Sequence, residues 1–253
     1  MKIAVITGAS SGMGREFVLE LDKVHGFDEI WVIARREVRL LELQKDVRAR
    51  IRAIALDLTA EESIEEYKRL LETEKPEVKV LVNASGFGKF SAFTETKLED
   101  CYGMIDLNDK AMVGITYVTL PYMKEGSQIY QLCSLSSFQP VPYIGVYGAT
   151  KAFVLSFSRA LNVELKDKGI RVIAVSPGWV KTEFFDRAVS DDTIKYYNKY
   201  FTANEVVVRA IKDMGKGKDV SICGASIRAQ VLATKLLPHR LIMKIWCRQQ
   251  GKA

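Results

Sequence analysis

The sequence predicts an α/β fold, a doubly wound parallel sheet of about seven strands with helices on both faces. Seven short runs rich in Val, Ile, Leu and Ala recur along the chain, and helical patterns separate them. The runs are apolar at consecutive positions, as expected for strands that are covered on both faces. The strand–helix alternation continues without an internal repeat or a linker, which predicts a single domain over residues 1–253.

The predicted strands follow one another along most of the chain. In order they read KIAVIT, EIWVIA, IRAIAL, VKVLVN, SQIYQLC, IRVIAVS and DVSIC. Between them, GREFVLELDKV repeats apolar residues at Phe17, Leu21 and Val24, the spacing of one helix face. A longer helical pattern runs from about Leu98 to Met123, and KAFVLSFSRALNVELKDKG ends in a glycine that favours helix termination. Functional residues are expected just after the strands, because ligands of such sheets bind beyond their carboxyl ends.

The composition is that of an ordinary globular chain, with 48% hydrophobic and 27% charged residues. No run approaches about 18 apolar residues, so no membrane-spanning helix is expected. The N-terminal KIAVITG lacks the pattern of a signal peptide. The four cysteines form no CxxC motif, and there are only two histidines. We therefore expect a cytoplasmic protein without disulfide bonds or a metal site.

The net charge of +6 is concentrated in one part of the chain. Elsewhere basic and acidic residues alternate on predicted helix faces, so no nucleic-acid partner is expected. In the C-terminal segment of about residues 229–253, Ile242, Ile245 and Trp246 are interleaved with lysine and arginine. This basic amphipathic pattern is typical of a helix at a membrane interface and predicts peripheral membrane contact. Contact with another subunit and a flap over the functional site fit the pattern as well.

The first strand ends in TGASSGMG, with Gly8, Gly12 and Gly14 between strand and helix. Glycine allows a tight turn and close approach of a ligand, and the free N–H groups of the following helix attract a phosphate. The spacing is GxxxGxG rather than the GxGxxG fingerprint of many dinucleotide sites. We expect this loop, including Ser10, Ser11 and Met13, to bind the phosphates of a cofactor. A plain strand–helix turn is the alternative.

The same stretch contains GASSG, which matches the GxSxG pattern of serine hydrolases with Ser10 as the nucleophile. His239 lies downstream, as a hydrolase histidine would. No earlier strand and loop exist to supply the second oxyanion donor, and His239 has no evident orienting partner. A serine hydrolase is therefore disfavoured.

The stretch YGATK places Tyr147 and Lys151 four residues apart, on one face of a helix. A nearby ammonium group favours a phenolate and lowers the pKa of a tyrosine from about 10. Lowering by about two or three units would bring Tyr147 into the range of an effective general acid or base. Taken alone, the spacing also fits a tyrosine that packs beside a solvated lysine.

These pieces together resemble the short-chain dehydrogenase/reductase family of nicotinamide-dependent oxidoreductases. The matching motifs occur in family order: TGASSGMG, DL, NASG, DLNDKAM, CSLSS, YGATK and SPGWVKT. They run from about Ile3 to Thr182, most of the chain. The resemblance implies a Rossmann-type fold and hydride transfer between a nicotinamide cofactor and a secondary alcohol or ketone.

The resemblance assigns a catalytic role to four residues. Tyr147 is expected to be the general acid or base, and Lys151 to tune it and to hold the cofactor's ribose. Ser134, thirteen positions before the tyrosine, is expected to stabilise charge on the substrate oxygen, with Ser136 and Ser137 as neighbouring alternatives. Asn108 is expected to hold a water in a proton relay, and it also fits a capping or kink residue of its long helix.

The second predicted strand ends in ARREV, where an acidic residue would favour NAD and an arginine would accept the 2′-phosphate of NADP. Arg35 and Arg36 stand there, so we expect NADP(H), with Arg35 the preferred contact and Arg36 the second. A basic helix start on the surface is the alternative. The resemblance places Asp57 and Leu58 beside the adenine.

Two further motifs are implied to hold the cofactor. In NASG, Ala84 and Ser85 replace the middle pair of the family's usual NNAG, whereas Asn83 and Gly86 are retained. In SPGWVKT, the residues implied to cover and hold the nicotinamide are Pro177, Gly178, Val180 and Thr182.

The substrate is expected to be bulky and apolar. Family members with similar C-terminal tails act on steroids or fatty acyl chains, so the resemblance implies a substrate such as a hydroxysteroid and a role in lipid metabolism. The aromatic-rich segment of about residues 183–202 lies where the family places its substrate lid, although core packing explains its aromatics nearly as well. A ketoacyl-type reductase and a catalytically silent NADP(H)-binding sensor or interaction protein are the alternatives. By the resemblance, a homodimer or homotetramer is expected.

Overall fold

A seven-stranded parallel sheet runs through the middle of the molecule. The computed structural model describes residues 1–189 and 193–252. The strands, in chain order, are β1 (Lys2–Thr7), β2 (Glu29–Ala34), β3 (Arg50–Ala55), β4 (Glu77–Asn83), β5 (Gln128–Leu132), β6 (Arg171–Val175), β7 (Trp179–Val180), β8 (Tyr200–Phe201) and β9 (Val220–Ser221). The main sheet has the order β3-β2-β1-β4-β5-β6-β9, and β7 pairs with β8 in a separate small sheet. The predicted seven-stranded parallel sheet is confirmed.

Helices connect the strands. They are α1 (Gly12–Val24), α2 (Glu37–Leu41), α3 (Glu61–Glu74), α4 (Leu98–Ile105), α5 (Ala111–Thr119), α6 (Gly145–Glu164), α7 (Phe184–Ala188), α8 (Ala203–Gly215), α9 (Ala225–Leu236) and α10 (His239–Gln249). A π-helical turn at Asp106–Lys110 joins α4 to α5, so the predicted long helix exists but widens in its middle. The 3₁₀ turn that follows α6 ends at Gly169, whose φ of 66° fits the predicted stop.

Two apolar cores lie on opposite faces of the sheet because side chains alternate along each strand. In β1, Ala4 and Ile6 contribute to the core that α1 and α8 cover. Ile3 and Val5 contribute to the other core, which α3, α5 and α6 cover. This two-sided burial explains why the strands are apolar at consecutive positions.

The strand order reverses direction between β1 and β4, which lie side by side. The carboxyl ends of strands at such a switch point leave a crevice for a ligand. The glycine loop after β1 and the NASG motif after β4 therefore meet at this crevice.

Two predicted segments are described only in part. Residues 190–192 of the predicted lid and residue 253 of the predicted C-terminal segment lie outside the described residues. Across residues 1–189 and 193–252, every helix is too short or too polar to cross a lipid bilayer.

Candidate active site

The glycine loop forms the floor of the crevice. Gly8 has a φ of 67°, in the left-handed region that favours glycine, and a Cβ there would lie 2.7 Å from the carbonyl oxygen of Ala84. The Thr7 hydroxyl accepts hydrogen bonds from the backbone N–H groups of Ala84 and Ser85, at 3.0 and 3.1 Å. Thr7, which sequence reasoning missed, thus fastens the end of β1 to the NASG motif.

Gly14 lets α1 pack directly on the loop, because a Cβ at this position would overlap the carbonyl group of Gly8. We expect Gly14→Ala to lower stability by about 1–3 kcal/mol, the usual cost of overpacking. For a chain of this size that is a fall of about 2–12 °C in melting temperature, measurable by thermal unfolding. Gly26→Ala is the control, since nothing lies within 4 Å of its added Cβ. Equal melting temperatures for the two variants would contradict the packing argument.

The start of α1 faces the crevice with its backbone donors free. The Ser11 side chain makes no capping hydrogen bond, and the first turn of α1 contains no acidic residue. Unpaired N–H groups and the positive end of the helix dipole attract a phosphate group. Together with the close-packed glycines, this arrangement fits the phosphates of a dinucleotide.

A cleft of about 540 Å³ extends from this loop along the carboxyl edge of the sheet. It brings together most residues that the sequence predicts for the cofactor: Gly8, Ser10, Ser11, Gly12, Met13, Gly14, Arg35, Arg36, Asp57, Leu58, Ala84, Ser85 and Thr182. Asn83 instead lies buried beneath the cleft, where its side-chain amide donates to the Thr116 hydroxyl at 3.0 Å.

The two arginines after β2 have different partners. The Arg36 guanidinium donates to the Ser10 hydroxyl at 3.1 Å and pairs with the Glu183 carboxylate at 2.8 Å. Arg35 is half exposed, and its guanidinium lies 3.5 Å from the Asp57 carboxylate. Arg36 is therefore the arginine fastened to the glycine loop, although the sequence pattern favoured Arg35.

Glu183 was not anticipated from the sequence. Its carboxylate also pairs with Arg39 of α2, so it joins the start of α7 to the end of β2 across the cleft. The two arginines hold the pKa of Glu183 below its usual value. Since Glu183 is 147 positions from Arg36, no local pattern indicates the pair.

A second cavity of about 350 Å³ adjoins the cleft. Both are lined by Met13, Ala84, Gly86, Thr182 and Phe184. The second cavity also contains Ser134, Tyr147, Lys151, Pro177, Gly178 and Val180. The site is therefore divided between a cleft with phosphate-binding features and a cavity with the predicted catalytic residues.

Ser134 is the serine that meets Tyr147. Its hydroxyl lies near enough to the phenol of Tyr147 to oppose the rise in the pKa of that phenol, and it accepts a hydrogen bond from the backbone N–H of Ser136 at 3.2 Å. The Ser137 hydroxyl is engaged elsewhere, because it donates to the backbone carbonyl of Ser134 at 2.6 Å. This geometry favours Ser134 over its two neighbours as the group beside the reacting oxygen.

Tyr147 and Lys151 both lie in α6 and are almost fully buried. The Lys151 ammonium donates to the backbone carbonyl of Leu132 at 2.8 Å and lies 5.7 Å from the centre of the Tyr147 ring. Burial raises the pKa of Tyr147 and lowers that of Lys151, because it disfavours each charged form. Burial of the phenol therefore works against the lowering of the Tyr147 pKa that the neighbouring lysine led us to expect. Tyr147 is accordingly a neutral phenol, the form that donates a proton.

Asn108 lies in the π-helical turn, a distortion that is frequent at functional sites. Its side-chain oxygen accepts from the Phe87 N–H at 3.0 Å. Its amide donates to the Phe87 carbonyl and to the Thr150 hydroxyl, each at 3.0 Å. Asn108 therefore fastens the loop after β4 to the helix that carries Tyr147 and Lys151.

The neighbouring Asp109 was missed from the sequence. Burial raises the pKa of its carboxyl to about 7, and the positive charge of Lys151 partly opposes that rise. One of its side-chain oxygens has no hydrogen-bond partner among the described residues. A group that changes charge near neutrality therefore lies within electrostatic reach of Lys151.

The wall around Tyr147 is aromatic. Phe90 makes edge-on or tilted ring contacts with Tyr147, Trp179, Phe184 and Phe185. Residues from the loop after β4, from β7 and from α7 thus form one apolar surface beside the phenol. Aromatics of the segment predicted as a lid do line the cavity, and they also pack on one another.

The serine hydrolase alternative has no support in the geometry. The Ser10 hydroxyl accepts hydrogen bonds from Arg36 rather than from a histidine. His239 stands at the start of α10 and is not among the described residues that line either cavity.

Comparison with known proteins identifies the family. A family model described as short chain dehydrogenase matches residues 2–193. Sulfoacetaldehyde reductase 2 of Chromohalobacter salexigens is 36% identical over 201 residues, which cover 75% of this chain and 79% of that protein.

Two solved structures share the whole fold. A short-chain dehydrogenase from Sphingobium yanoikuyae in complex with NADPH matches with a TM-score of 0.80 and 27% identity, over 96% of both chains. The bulky-bulky ketone specific alcohol dehydrogenase from Comamonas testosteroni matches with a TM-score of 0.75 and 25% identity, over 93% of this chain and 92% of that one. From the family match, the fold and the ordered motifs, the chain belongs to the short-chain dehydrogenase/reductase family of oxidoreductases.

Proposed function

We propose that the protein is an NADP(H)-dependent oxidoreductase that interconverts a bulky, apolar secondary alcohol and the corresponding ketone. The observation that carries the proposal is the wall of the catalytic cavity, which is apolar and aromatic around Tyr147 and Ser134. Lys151 is the one charged side chain among the described residues that line it.

The cofactor would occupy the cleft between the glycine loop and the NASG motif. NADP(H) supplies a hydride to the carbonyl carbon or accepts one from the carbinol carbon. The start of α1 would hold its phosphates, and Arg36 with Arg35 would hold the 2′-phosphate. The NADPH complex of the Sphingobium yanoikuyae relative supports this choice of cofactor.

The catalytic residues act on the substrate oxygen. In the reductive direction, Tyr147 donates its phenolic proton to that oxygen, and the Ser134 hydroxyl donates a hydrogen bond to it. Lys151 then stabilises the phenolate by its positive charge. Asn108 holds the loop after β4 against helix α6, so that Ser134, Tyr147 and Lys151 remain aligned.

A hydroxysteroid is the kind of substrate that fits this cavity. A charged substrate would leave water for a wall on which Lys151 is the one charged side chain among the described residues. The likeness to a dehydrogenase specific for bulky-bulky ketones supports a large neutral ketone. The ketoacyl-type alternative predicts activity on an acyl thioester instead. A silent NADP(H)-binding sensor is disfavoured because Ser134, Tyr147 and Lys151 line one cavity that adjoins the cofactor cleft.

We also propose a homodimer or homotetramer and a cytoplasmic location. Tyr117 of α5 and Phe153 and Val163 of α6 are exposed apolar residues on one side of the sheet, which supports a subunit contact there. The described cysteines are all unpaired, which supports a reducing compartment.

A substrate panel tests the proposal. NADPH oxidation would be followed with bulky neutral ketones, including ketosteroids, with matched ketones that carry a carboxylate or sulfonate, and with acyl thioesters. We expect kcat/KM for the best neutral ketone to exceed that of its charged analogue by about 100-fold, equivalent to about 2.7 kcal/mol of unpaired-charge burial. Equal kcat/KM values for the charged and neutral members would refute the apolar-substrate proposal.

A further inference from the structure

The excess positive charge of the chain lies entirely in its last part. The sequence has 37 lysine and arginine residues against 31 aspartate and glutamate residues. Six of the basic residues and none of the acidic ones follow Asp219, so the charges of residues 1–219 balance. The net charge of +6 is therefore a property of the C-terminal helices and not of the whole surface.

Leu237 and Pro238 join helices α9 and α10, and this segment is here called the C-terminal hairpin (residues 225–249). Its inner side lines the catalytic cavity through Ala233, Thr234, Ile242 and Trp246. The Trp246 indole donates to the backbone carbonyl of Pro142 at 3.0 Å, which fastens the hairpin over the cavity. This position beside the cavity is compatible with a flap, one of the three roles that the sequence left open for this segment.

The outer side combines exposed leucines with unpaired cations. Leu232 is 58% exposed and Leu236 is 75% exposed, although neither lines the cavity. Lys235 of the same helix and Arg240 and Lys244 of α10 are also exposed, and no carboxylate among the described residues lies within ion-pairing distance of any of the three. Apolar residues flanked by unneutralised lysine and arginine are the composition of a helix that lies in a membrane interface.

We propose that the C-terminal hairpin docks on the surface of an anionic lipid bilayer, with its leucines in the interface and its cations on the headgroups. The C-terminal hairpin, which covers the catalytic cavity, would then face the lipid bilayer. An apolar ketone would concentrate in that bilayer, a consequence that rests on the proposed function. A symmetric contact with a second copy fits less well, because it would bring the same cations together. Basic residues near an anionic leaflet are attracted strongly, and salt screens the attraction.

Vesicle sedimentation tests the proposal without requiring turnover. The full chain would be mixed with vesicles of phosphatidylcholine alone or with added phosphatidylglycerol. We expect at least tenfold tighter binding to the phosphatidylglycerol vesicles, and a loss of that difference at high salt. Equal binding to both kinds of vesicle, or to neither, would overturn the proposal.

Matched variants distinguish the contribution of the C-terminal hairpin to vesicle binding from that of the net charge of the chain. Lys235→Gln, Arg240→Gln and Lys244→Gln combined should reduce binding at least tenfold, whereas Lys166→Gln, Lys168→Gln and Lys216→Gln combined, an equal change at exposed sites elsewhere, should leave it unchanged. Leu232→Ser with Leu236→Ser should also weaken binding, at unchanged charge. Equal effects of the two triple variants would contradict the proposal. The proposal would also be contradicted if the double leucine variant lost self-association instead of vesicle binding. A preference of the intact chain for duplex nucleic acid over anionic vesicles would contradict it as well.

Different results would refute the enzymatic function and the membrane docking. Reduction of a water-soluble neutral ketone by a chain that ignores anionic vesicles would overturn the docking and leave the enzymatic function intact. Vesicle binding by a chain that reduces none of the ketones would support the docking alone and refute the enzymatic function.

Discussion

Replacing Tyr147 by phenylalanine is expected to lower kcat by at least about 100-fold while leaving the affinity for NADPH within about threefold of the intact chain. The ring of Tyr147 packs edge-on against Phe90 and at a tilt against Phe184, and phenylalanine retains those contacts. Only the hydroxyl that meets Ser134 is lost. General acid catalysis contributes about 10²–10⁴-fold, so kcat should fall by about that factor. Steady-state NADPH oxidation measures the fall, and a fluorescence titration measures the affinity.

Tyr197→Phe is the matched control for this variant. Tyr197 belongs to the same aromatic cluster, where it packs against Trp179, but its hydroxyl donates to the backbone carbonyl of Ile194. Loss of that hydrogen bond should leave kcat within a few-fold. If Tyr147→Phe kept the kcat of the intact chain, Tyr147 would not be the proton donor.

Replacing Arg36 by alanine is expected to weaken NADPH binding by about 10–150-fold, since a hydrogen bond to a charged group contributes about 1.5–3 kcal/mol. The affinity for NADH should change by less than about threefold, because NADH lacks the 2′-phosphate. Arg36 is fastened to the glycine loop through Ser10, so its guanidinium is held at the cleft before the phosphate arrives. Dissociation constants for both cofactors measure the effect.

Arg39→Ala and Arg35→Ala are the comparison variants for Arg36→Ala. Arg39 shares the Glu183 carboxylate with Arg36 but does not line the cleft, so its loss should affect NADPH far less. Arg35 lines the cleft but reaches toward Asp57, so we expect an intermediate effect. A loss of affinity that is equal for NADPH and NADH would exclude Arg36 as a phosphate contact.

The sheet and the catalytic residues could be predicted because their signals are local. The strands are continuous apolar runs, and the glycine loop lies within seven residues. Tyr147 and Lys151 are one helix turn apart, so the spacing alone puts them on one face. Ser134 required the resemblance to select it from CSLSS, and its interaction with Tyr147 then favoured it over Ser136 and Ser137.

The remaining features depend on contacts between distant parts of the chain. Glu183 pairs with Arg36 and Arg39, which are far from it in the sequence. No sequence spacing could therefore predict this pairing. The π-helical turn at Asp106–Lys110 has the same amphipathic pattern as the α-helix around it, so the sequence predicted one continuous helix. The pKa of Tyr147 is raised by burial of the phenol. Burial follows from the fold, so the spacing between Tyr147 and Lys151 could not indicate it.

The central claim is that the chain transfers hydride from NADPH to a bulky neutral ketone with Tyr147 as the proton donor. The most direct measurement uses NADPH deuterated at the nicotinamide carbon that carries the transferred hydrogen, followed by mass spectrometry of the alcohol. We predict one deuterium on the carbinol carbon with the intact chain, and at least about 100-fold less of that alcohol in the same time with Tyr147→Phe. An alcohol without deuterium, or equal labelled product from both chains, would contradict the account.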